Sequence, residues 1–422
     1  MSLEWKTVEL KSIANVTMGQ SPKSEFYNDN FEGMPFLQGN KTFGDKYPSF
    51  ELYTTSIKKV AEKNSVLMSV RAPVGDLNIA QEDICIGRGV CGLQMKKGDN
   101  EFLYYLLKAN ISHLINKESG TVFGSINKND IETFEVTLPK SSDDQMKILT
   151  ILKNIDKKID ICKNLNRNLT KLIDTNFKNY LLNFENYSED DLVSSEFGPI
   201  PKEWVVNNLT GIANYQNGLA MQKFPPETPE DSFKVLKIKE LRQGFFDESS
   251  DLCSKNIKEE CIVYDGDVIF SWSGSLLVDI WTGGTCGLNQ HLFKVTSSNF
   301  DKWFYYCWTK FYLDQFILIA KDKATTMGHI KRQHLEESLV LIPDEETYNN
   351  LTNLFKPLFE YLTKNKIEIK KLQSLRDTLL PKLMSGKIDV SKINCDMQQI
   401  STNNWDNKFT VPLQNNLITV IS

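Results

Sequence analysis

The residues that could do chemistry in this 422-residue chain are few and widely spaced. Its four histidines have neither metal-ligand spacing nor the spacing of a nucleophile–histidine–acid triad. The one Pro-Pro pair, in Phe224-Pro225-Pro226-Glu227, lacks the preceding amide or acid and the following aromatic residue that adenine methylation would need. No Gly-x-x-x-x-Gly-Lys-Ser/Thr phosphate loop and no glycine-rich S-adenosylmethionine loop occurs. We therefore expect no catalytic residues and no metal site.

The cysteines indicate neither a zinc site nor a disulfide framework, because no Cys-x-x-Cys pair occurs. We expect them to be buried free thiols. The eight positions are Cys85, Cys91, Cys162, Cys253, Cys261, Cys286, Cys307 and Cys395.

Composition and charge place the chain among ordinary globular proteins, at 41% hydrophobic and 24% charged residues. The longest uncharged apolar run, around Phe316–Ala320, is too short for a membrane helix, and the acidic start of the chain does not resemble a secretory signal. We expect a cytoplasmic protein without membrane contact. A net charge of −5 argues against coating nucleic acid through bulk positive charge, although a local basic cleft stays compatible with it.

The chain repeats itself, and the repeat predicts its organisation. One block recurs with a shift of 199 residues and a second with a shift of 204, while the centres differ apart from a strand that ends in serine, Val66–Ser69 against Val268–Ser271. The first block is Trp5, Leu10, Ile13, Ala14, Asn15 and Gly19, repeated at Trp204, Leu209, Ile212, Ala213, Asn214 and Gly218; the second is Thr121, Gly124, Ile126, Glu132, Val136 and Pro139, repeated at Thr325, Gly328, Ile330, Glu336, Val340 and Pro343. The protein is a tandem duplication.

Each copy closes with apolar residues spaced by three and four, which predicts a long helix packed along one seam. We expect Pro357 to kink or restart the second helix and Gly386 to end it. The segment 197–204, with two prolines, predicts an extended connector outside helix and sheet. The predicted seams are Ile148, Leu152, Ile155, Ile159, Cys162, Leu169, Ile173 and Tyr180 in the first helix, and Leu351, Leu354, Leu358, Leu362, Asn365, Ile369, Leu372, Leu379 and Leu383 in the second.

These patterns predict a mixed α+β fold in which two globular domains in tandem repeat are separated by two long antiparallel helices that form a coiled-coil-like spacer. The predicted boundaries are 1–142 for the first domain, 143–198 for the first long helix and linker, 199–345 for the second domain, 346–390 for the second long helix and 391–422 for a C-terminal tail.

Five segments together resemble the specificity subunit of type I restriction-modification enzymes. They are the opening of the second domain at 198–204, the paired segments 121–126 and 325–330, the helix start at 144–148 and the run Leu379-Leu380-Pro381-Lys382-Leu383-Met384-Ser385-Gly386-Lys387-Ile388. The resemblance covers residues 4 to 390. The second helix departs from the pattern, because no residue like Gln145 marks its start.

The resemblance implies a non-catalytic DNA-recognition chain whose two domains are target-recognition domains. Each domain would read one half of a bipartite target, and the helices would set the gap and dock two methyltransferase subunits. S-adenosylmethionine would belong to those partners, and ATP and Mg to restriction subunits, if present; this chain would carry no cofactor.

Direct reading of base edges calls for Arg or Lys against guanine and for Asn or Gln against adenine. Side chains of these kinds, with a few serine, histidine and tryptophan neighbours, occur in glycine-flanked loops at corresponding places of the two copies. The DNA-binding candidates are Gln38, Asn40, Lys41, Arg71, Arg88, Ser125, Asn127 and Lys128 in the first domain, and Lys237, Lys239, Arg242, Trp272, Ser273, Asn289, Gln290, His291, His329, Lys331 and Arg332 in the second.

Apolar residues off the helical seam predict a surface for partner subunits. They are Leu165, Leu172, Phe355, Phe359 and Leu375. Two alternatives stay open: a structural tether whose helices and domains bind proteins, and an enzyme of unrecognised type that uses scattered carboxylates.

Overall fold

The structure, a computed structural model, describes residues 4–116, 124–322 and 328–390. Within these ranges the chain forms two compact units: one takes the residues up to Asn154 and from Arg376 onward, and the other takes Ile155–Leu375. The tail predicted at 391–422, Cys395, and Thr121 and Thr325 of the repeat lie outside the described residues.

The first unit is a set of small sheets with a helix packed on them. Its elements are β1 (Trp5–Glu9), α1 (Leu10–Ile13), β2 (Ala14–Met18), β3 (Tyr27–Asn28), β4 (Met34–Leu37), β5 (Tyr53–Thr54), β6 (Val60–Ala61), β7 (Val66–Ser69), β8 (Leu77–Ile79), β9 (Ile84–Ile86), β10 (Val90–Met95), α2 (Asn100–Asn116), α3 (Lys128–Glu132), β11 (Glu135–Pro139) and the start of α4 (Ser142–Leu181).

The second unit contains most of α4 and a similar order of elements, with one hairpin and two helices added. Its elements are β12 (Leu192–Ser195), β13 (Gly198–Pro201), β14 (Val205–Asn208), α5 (Leu209–Ile212), β15 (Asn214–Asn217), β16 (Ser232–Leu236), α6 (Ile238–Gln243), β17 (Leu252–Ser254), β18 (Ile262–Val263), β19 (Val268–Ser271), β20 (Leu277–Ile280), β21 (Cys286–Leu288), β22 (Leu292–Thr296), α7 (Lys302–Phe311), α8 (Leu313–Asp322), α9 (Arg332–Glu336), β23 (Leu339–Ile342) and most of α10 (Glu345–Met384).

Strand pairing reproduces the duplication seen in the sequence. The antiparallel pair β1–β11 corresponds to β14–β23, and the sheet β2-β10-β7-β8 corresponds to β15-β22-β19-β20. The parallel pair β4–β9 corresponds to β16–β21. The predicted tandem α+β fold is therefore confirmed, with the conserved blocks forming equivalent strands.

The two long helices are each 40 residues and pack antiparallel. In the second unit Ile159 and Cys162 share an apolar cluster with Ile369, and Lys158 Nζ lies 3.2 Å from a carboxylate oxygen of Glu368. Further along α4, Phe177 belongs to the same core as residues nearer the start of α10.

Two local predictions are wrong. Helix α10 is continuous through Pro357, so it does not restart there; the proline is exposed, and Phe355 and Phe359 on either side of it are buried in the core. The predicted connector is partly a strand: Gly198–Pro201 pairs with Leu192–Ser195 as a two-stranded hairpin, which tolerates proline because neither strand has a second partner. Gly386, at φ 74°, follows the end of α10 as predicted.

Most of the aromatic residues of α7 belong to the hydrophobic core of the second unit. Trp303, Phe304 and Trp308 of α7 are fully buried, and Trp303 stacks on Phe355 of α10 with ring centroids 4.5 Å apart. In the first unit, Glu101 at the start of α2 forms ion pairs with Lys46, at 3.1 Å, and with Lys153.

Candidate functional site

Three separate segments of the first domain meet at the end of β7. The amide of Ile126 donates to the carbonyl of Val70 at 3.0 Å, and the amide of Val70 donates to the carbonyl of Gly89 at 2.9 Å. Arg71 and Ser125 face each other in an isolated antiparallel bridge. Residues 54 positions apart in sequence are thereby placed side by side.

A fourth segment, Gln38–Lys41, joins them through a close backbone contact. The amide of Gly89 donates to the carbonyl of Gln38 at 3.1 Å. A Cβ on Gly89 would lie 2.6 Å from that carbonyl oxygen, so the approach requires glycine.

These segments surround a pocket of about 440 Å³ in the first domain. Five of the predicted DNA-binding residues line it, namely Gln38, Asn40, Lys41, Arg71 and Arg88. We call this the domain-one pocket.

The two arginines differ from the other polar residues of the domain-one pocket. Lys41 Nζ lies 2.9 Å from a carboxylate oxygen of Glu51, whose hydrogen bond raises the pKa of Lys41, and the amide of Asn40 donates to Asp76. Arg71 and Arg88 are exposed, and among the described residues neither guanidinium has a carboxylate partner. Their charged donors are therefore free for an external acceptor.

The start of α3 gives the remaining first-domain candidates local roles. Asn127 Oδ1 accepts the amide of Asp130 at 3.1 Å, and the Asp130 carboxylate accepts the amide of Asn127 in return, which forms a capping box. Lys128 forms an ion pair with Glu132 one helical turn away, at 3.4 Å. Ser125 is exposed beside Arg71.

The second domain has the same backbone arrangement. The amide of Ile330 donates to the carbonyl of Trp272 at 3.1 Å, and the amide of Trp272 donates to the carbonyl of His291 at 3.4 Å. Ser273 and His329 form the isolated bridge that corresponds to Arg71 and Ser125.

The side chains on this arrangement form a connected cluster, in contrast to Arg71 and Arg88 of the first domain, which have no carboxylate partner among the described residues. Trp272 Nε1 donates to Asn217 Oδ1 at 3.2 Å, and the indole lies about 6 Å from the imidazoles of both His291 and His329. Gln290 Nε2 lies 3.4 Å from His291 Nε2, and Asn289 Oδ1 accepts the amide of His291 at 3.2 Å. We call these residues the domain-two cluster.

The prediction that Ser273 contacts DNA is not supported by its burial. Ser273 is 3% exposed, and its hydroxyl lies 3.0 Å from His291 Nδ1. It orients the imidazole and does not itself face solvent.

The candidates on and beside α6 are partly neutralised. Lys237 is paired with Asp251, and Lys239 Nζ lies 2.7 Å from Asp247. The hydrogen bonds from Lys239 and Ser249 hold the pKa of Asp247 well below its ordinary value, and the Asp247 hydrogen bond raises the pKa of Lys239. Arg242 is exposed and lines a different cleft, described below.

The candidates at the start of α9 are exposed, and two of them have local partners. The amide of Lys331 donates to His334 Nδ1 at 3.0 Å, and Arg332 forms an ion pair with Glu336 at 3.8 Å. This mirrors Lys128 and Glu132 of the first copy.

Two of the five residues predicted to face partner subunits are buried, which corrects their assignment. Phe355 stacks on Trp303, and Phe359 packs on Tyr306 with ring centroids 5.1 Å apart. Leu165 is half-buried, whereas Leu172 and Leu375 are exposed at 45% and 46%.

Sequence reasoning missed the residues that hold the candidates in place. The Ser21 hydroxyl accepts the amide of Arg88 at 3.1 Å, and Asn217 and Asp76 accept from Trp272 and Asn40. A usable signal was present, since Ser21 follows Gly19 and Asn217 precedes Gly218, the glycines that recur in the repeat.

Nothing in the described residues gathers three or more His, Cys, Asp or Glu side chains in a way that could hold a metal ion. The seven described cysteines are buried free thiols, as predicted, and burial raises the pKa of Cys91 to about 12 and that of Cys253 to about 11. Across 4–116, 124–322 and 328–390, every helix is too short or too polar to span a bilayer.

Comparison with known proteins gives one consistent result. Residues 2–171 match the family described as the type I restriction modification DNA specificity domain. The chain is 27% identical to the type I restriction enzyme MjaIX specificity subunit of Methanocaldococcus jannaschii, over 92% of this chain and 95% of that protein. It is 21% identical to the EcoBI specificity subunit of Escherichia coli, over 50% and 45%. The fold is similar to the crystal structure of the type I restriction-modification S subunit from M. genitalium, with a TM-score of 0.56, 16% identity, and coverage of 90% and 96%.

Proposed function

We propose that this chain reads DNA and that other chains act on the DNA it has bound. The chain belongs to the family of type I restriction-modification DNA specificity subunits. The first domain reads one half of a split target through the domain-one pocket. The second domain reads the other half through the domain-two cluster.

The observation that supports this proposal is that Arg71 and Arg88 in the domain-one pocket have no carboxylate partner among the described residues. An exposed guanidinium without a carboxylate partner loses no internal ion pair when it binds, and its planar donors match the O6 and N7 acceptors of guanine. Gln38, in the same pocket, offers the amide pattern that suits adenine.

The corresponding half of the proposal rests on the domain-two cluster. Trp272 is held by Asn217, and His291 is held by Ser273, so both rings have fixed orientations. Aromatic and imidazole edges of this kind contact the thymine methyl group or accept from exocyclic amines. We therefore expect different bases in the two half-sites.

Partners and cofactors form the finer part of the proposal. Two methyltransferase subunits that carry S-adenosylmethionine would dock on the long helices, where Leu172 and Leu375 are exposed. Restriction subunits, if present, would add ATP- and Mg-dependent cleavage. The chain itself would be non-catalytic and would act in the cytoplasm.

The test is selection from a pool of 40-base-pair duplexes with randomised centres, using the full chain co-expressed with its modification subunits. We expect two short conserved blocks separated by an unread gap of constant length. Enrichment of one contiguous motif, or none, would contradict the proposal and favour the tether alternative.

A second experiment tests the role of the helices in the gap. Seven residues inserted into both α4 and α10, beside the packed residues Cys162 and Ile369, would add about 10 Å of helix, which corresponds to roughly three base pairs. We expect a longer gap and unchanged half-sites. A changed half-site with an unchanged gap would contradict it.

A further inference from the structure

A second concave surface, in the unit formed by residues 155–375, shares no lining residue with the domain-two cluster. It is a cleft of about 760 Å³ between the long helices and the end of α6. Six basic residues line it: Lys163, Arg167, Lys171, Arg242, Lys366 and Lys370. We call it the basic cleft. We propose that the basic cleft binds the phosphate backbone of double-stranded DNA, an inference that rests on the proposed function.

The charge of the basic cleft opposes that of the chain. The described lining residues include six basic side chains and one carboxylate, that of Asp279. Their net charge is therefore +5, whereas the net charge of the whole chain is −5. Lys366 is bonded to Asp279, and Lys370 Nζ lies 5.1 Å above the ring of Phe245. Such a concentration of one sign in a cleft focuses the field on an anion.

Three of the six cations have no acidic partner in the part of the chain that the structure describes. Lys171 and Arg242 are exposed and enter no ion pair there, and Arg167 donates to the side-chain oxygen of Asn164, a neutral group. Two other carboxylates on the long helices already form ion pairs, that of Glu368 with Lys158 and that of Asp174 with Lys310. The three cations keep their charge for an external anion.

The spacing of the cations suits an extended polyanion. Lys163, Arg167 and Lys171 follow each other at four-residue intervals, so they lie on one face of α4 about 6 Å apart along the helix. Lys366 and Lys370 have the same spacing on α10. Phosphates follow each other every ~3.4 Å along one DNA strand, so a row of about 12 Å spans several of them.

The floor of the basic cleft favours DNA over an acidic protein. Its apolar members Leu241, Ile280, Trp281 and Leu362 are at most 3% exposed, and Ile369 is 8% exposed. Protein interfaces depend on exposed aromatic or aliphatic anchors at their centre, whereas these five apolar residues are each less than 10% exposed. Lys and Arg contacts to phosphate position a duplex without reading it, which suits DNA that lies between half-sites.

The test compares two variants of the full chain with equal charge loss. The cleft variant is Arg167→Gln/Lys171→Gln/Arg242→Gln, and the control is Lys157→Gln/Lys178→Gln/Lys364→Gln, whose residues are exposed on the same helices and do not line the cleft. Affinity for a 40-base-pair duplex is measured from 50 to 300 mM salt. Glutamine preserves helix propensity, and thermal melting verifies the fold.

For the cleft variant we expect the slope of log K against log salt to become shallower by about 2.7, at ~0.9 per lost phosphate contact. Affinity near 0.1 M salt should fall on the order of a hundredfold, equally for all sequences, while the control changes much less. Selected half-sites should stay the same.

Three results would overturn the inference. One is an unchanged salt slope in the cleft variant while the parent chain still selects a split target. Another is an equal loss in both variants, which would indicate only a general charge effect. The third is loss of the co-expressed modification subunit with an unchanged slope, which would assign the basic cleft to protein. Failure of the parent chain to select any target would instead contradict the proposed function.

Discussion

Replacing Arg88 is the sharpest perturbation of the domain-one pocket. Arg88 is exposed at the pocket and has no carboxylate partner among the described residues, so Arg88→Ala removes an external contact and breaks no internal ion pair. Its backbone is held by Ser21 and by the neighbouring Gly89, neither of which the substitution touches. The fold should therefore stay intact.

The expected magnitude follows from the guanidinium geometry. A bidentate arginine–guanine contact is worth about 1–3 kcal/mol of discrimination. Since about 1.4 kcal/mol corresponds to a tenfold change, the preference for one base should fall between roughly 5-fold and 150-fold. Arg71→Ala should act on the same half-site, because Arg71 lines the same pocket.

The assay is the duplex selection described above, repeated with Arg88→Ala and Arg88→Lys. Lysine keeps the charge but loses the bidentate fork, so it should retain most of the affinity and lose the base preference. The half-site read by the second domain is the internal control. If Arg88→Ala weakened all sequences equally, or if Arg88→Lys behaved as the parent, Arg88 would be a phosphate contact and the reasoning would be refuted.

The remaining predictions concern stability and reactivity. Phe355→Ala should lower the free energy of unfolding by about 3–5 kcal/mol in urea denaturation, while Leu375→Ala, at an exposed position, should change it by less than about 0.5; equal effects would contradict the burial. Burial opposes ionisation of Glu101, but its two lysine partners outweigh burial and lower its pKa, so Glu101→Gln should destabilise by roughly 1–2 kcal/mol at pH 7. That difference should begin to shrink as pH falls below the ordinary glutamate pKa of about 4.3, and it should vanish once the lowered pKa of Glu101 is passed; a difference constant with pH would refute it. Since burial raises the pKa of Cys253 to about 11, a thiol reagent at pH 8 should modify it only on unfolding, and stoichiometric labelling of the native chain would disprove its burial.

The constant shifts between the two copies were informative because they predict which backbone segments occupy equivalent positions in the two domains. Residues that recur at constant shifts occupy equivalent strands and loops, so segments around Arg71 and Ser125 had to meet if those around Ser273 and His329 did. The two isolated bridges have this relation. Which bases these residues contact stays a prediction, since a loop's position does not determine what its side chains bind.

Helix periodicity alone could not separate buried from exposed apolar residues in α10. A single seam predicts one buried stripe, whereas this helix also packs against α7. Phe355 and Phe359 lie on that second buried side, opposite Trp303 and Tyr306. A helix with two packed faces exposes fewer apolar residues than its heptad pattern implies.

The sequence also did not predict which charged side chains form ion pairs. Lys237 and Lys239 carry the residue type that suits phosphate or guanine, yet Asp247 and Asp251, in the turn after α6, pair with both of them. The conformation of the loop determines which charged side chains pair, and the spacing of residues in the sequence does not predict that conformation. For Lys163, Arg167 and Lys171 the sequence was more informative, because their four-residue spacing already places them on one face of a helix. Only the structure shows that Arg167 and Lys171 have no acidic partner among the described residues.

The two domains hold different chemistry on one backbone scaffold, and this difference has a consequence for the target. On equivalent loops the first domain presents two guanidinium groups that have no carboxylate partner among the described residues, whereas the second presents an indole held by Asn217 and an imidazole held by Ser273. Guanidinium donors select acceptor pairs, while the rings of the domain-two cluster present apolar edges and ring nitrogens. Because each scaffold is held by its own hydrogen bonds between backbone groups, substitution of these side chains leaves the loops in place. Each half-site can therefore change without the other. Replacing Gln290, which corresponds to Arg88, with arginine should shift only the second half-site toward guanine.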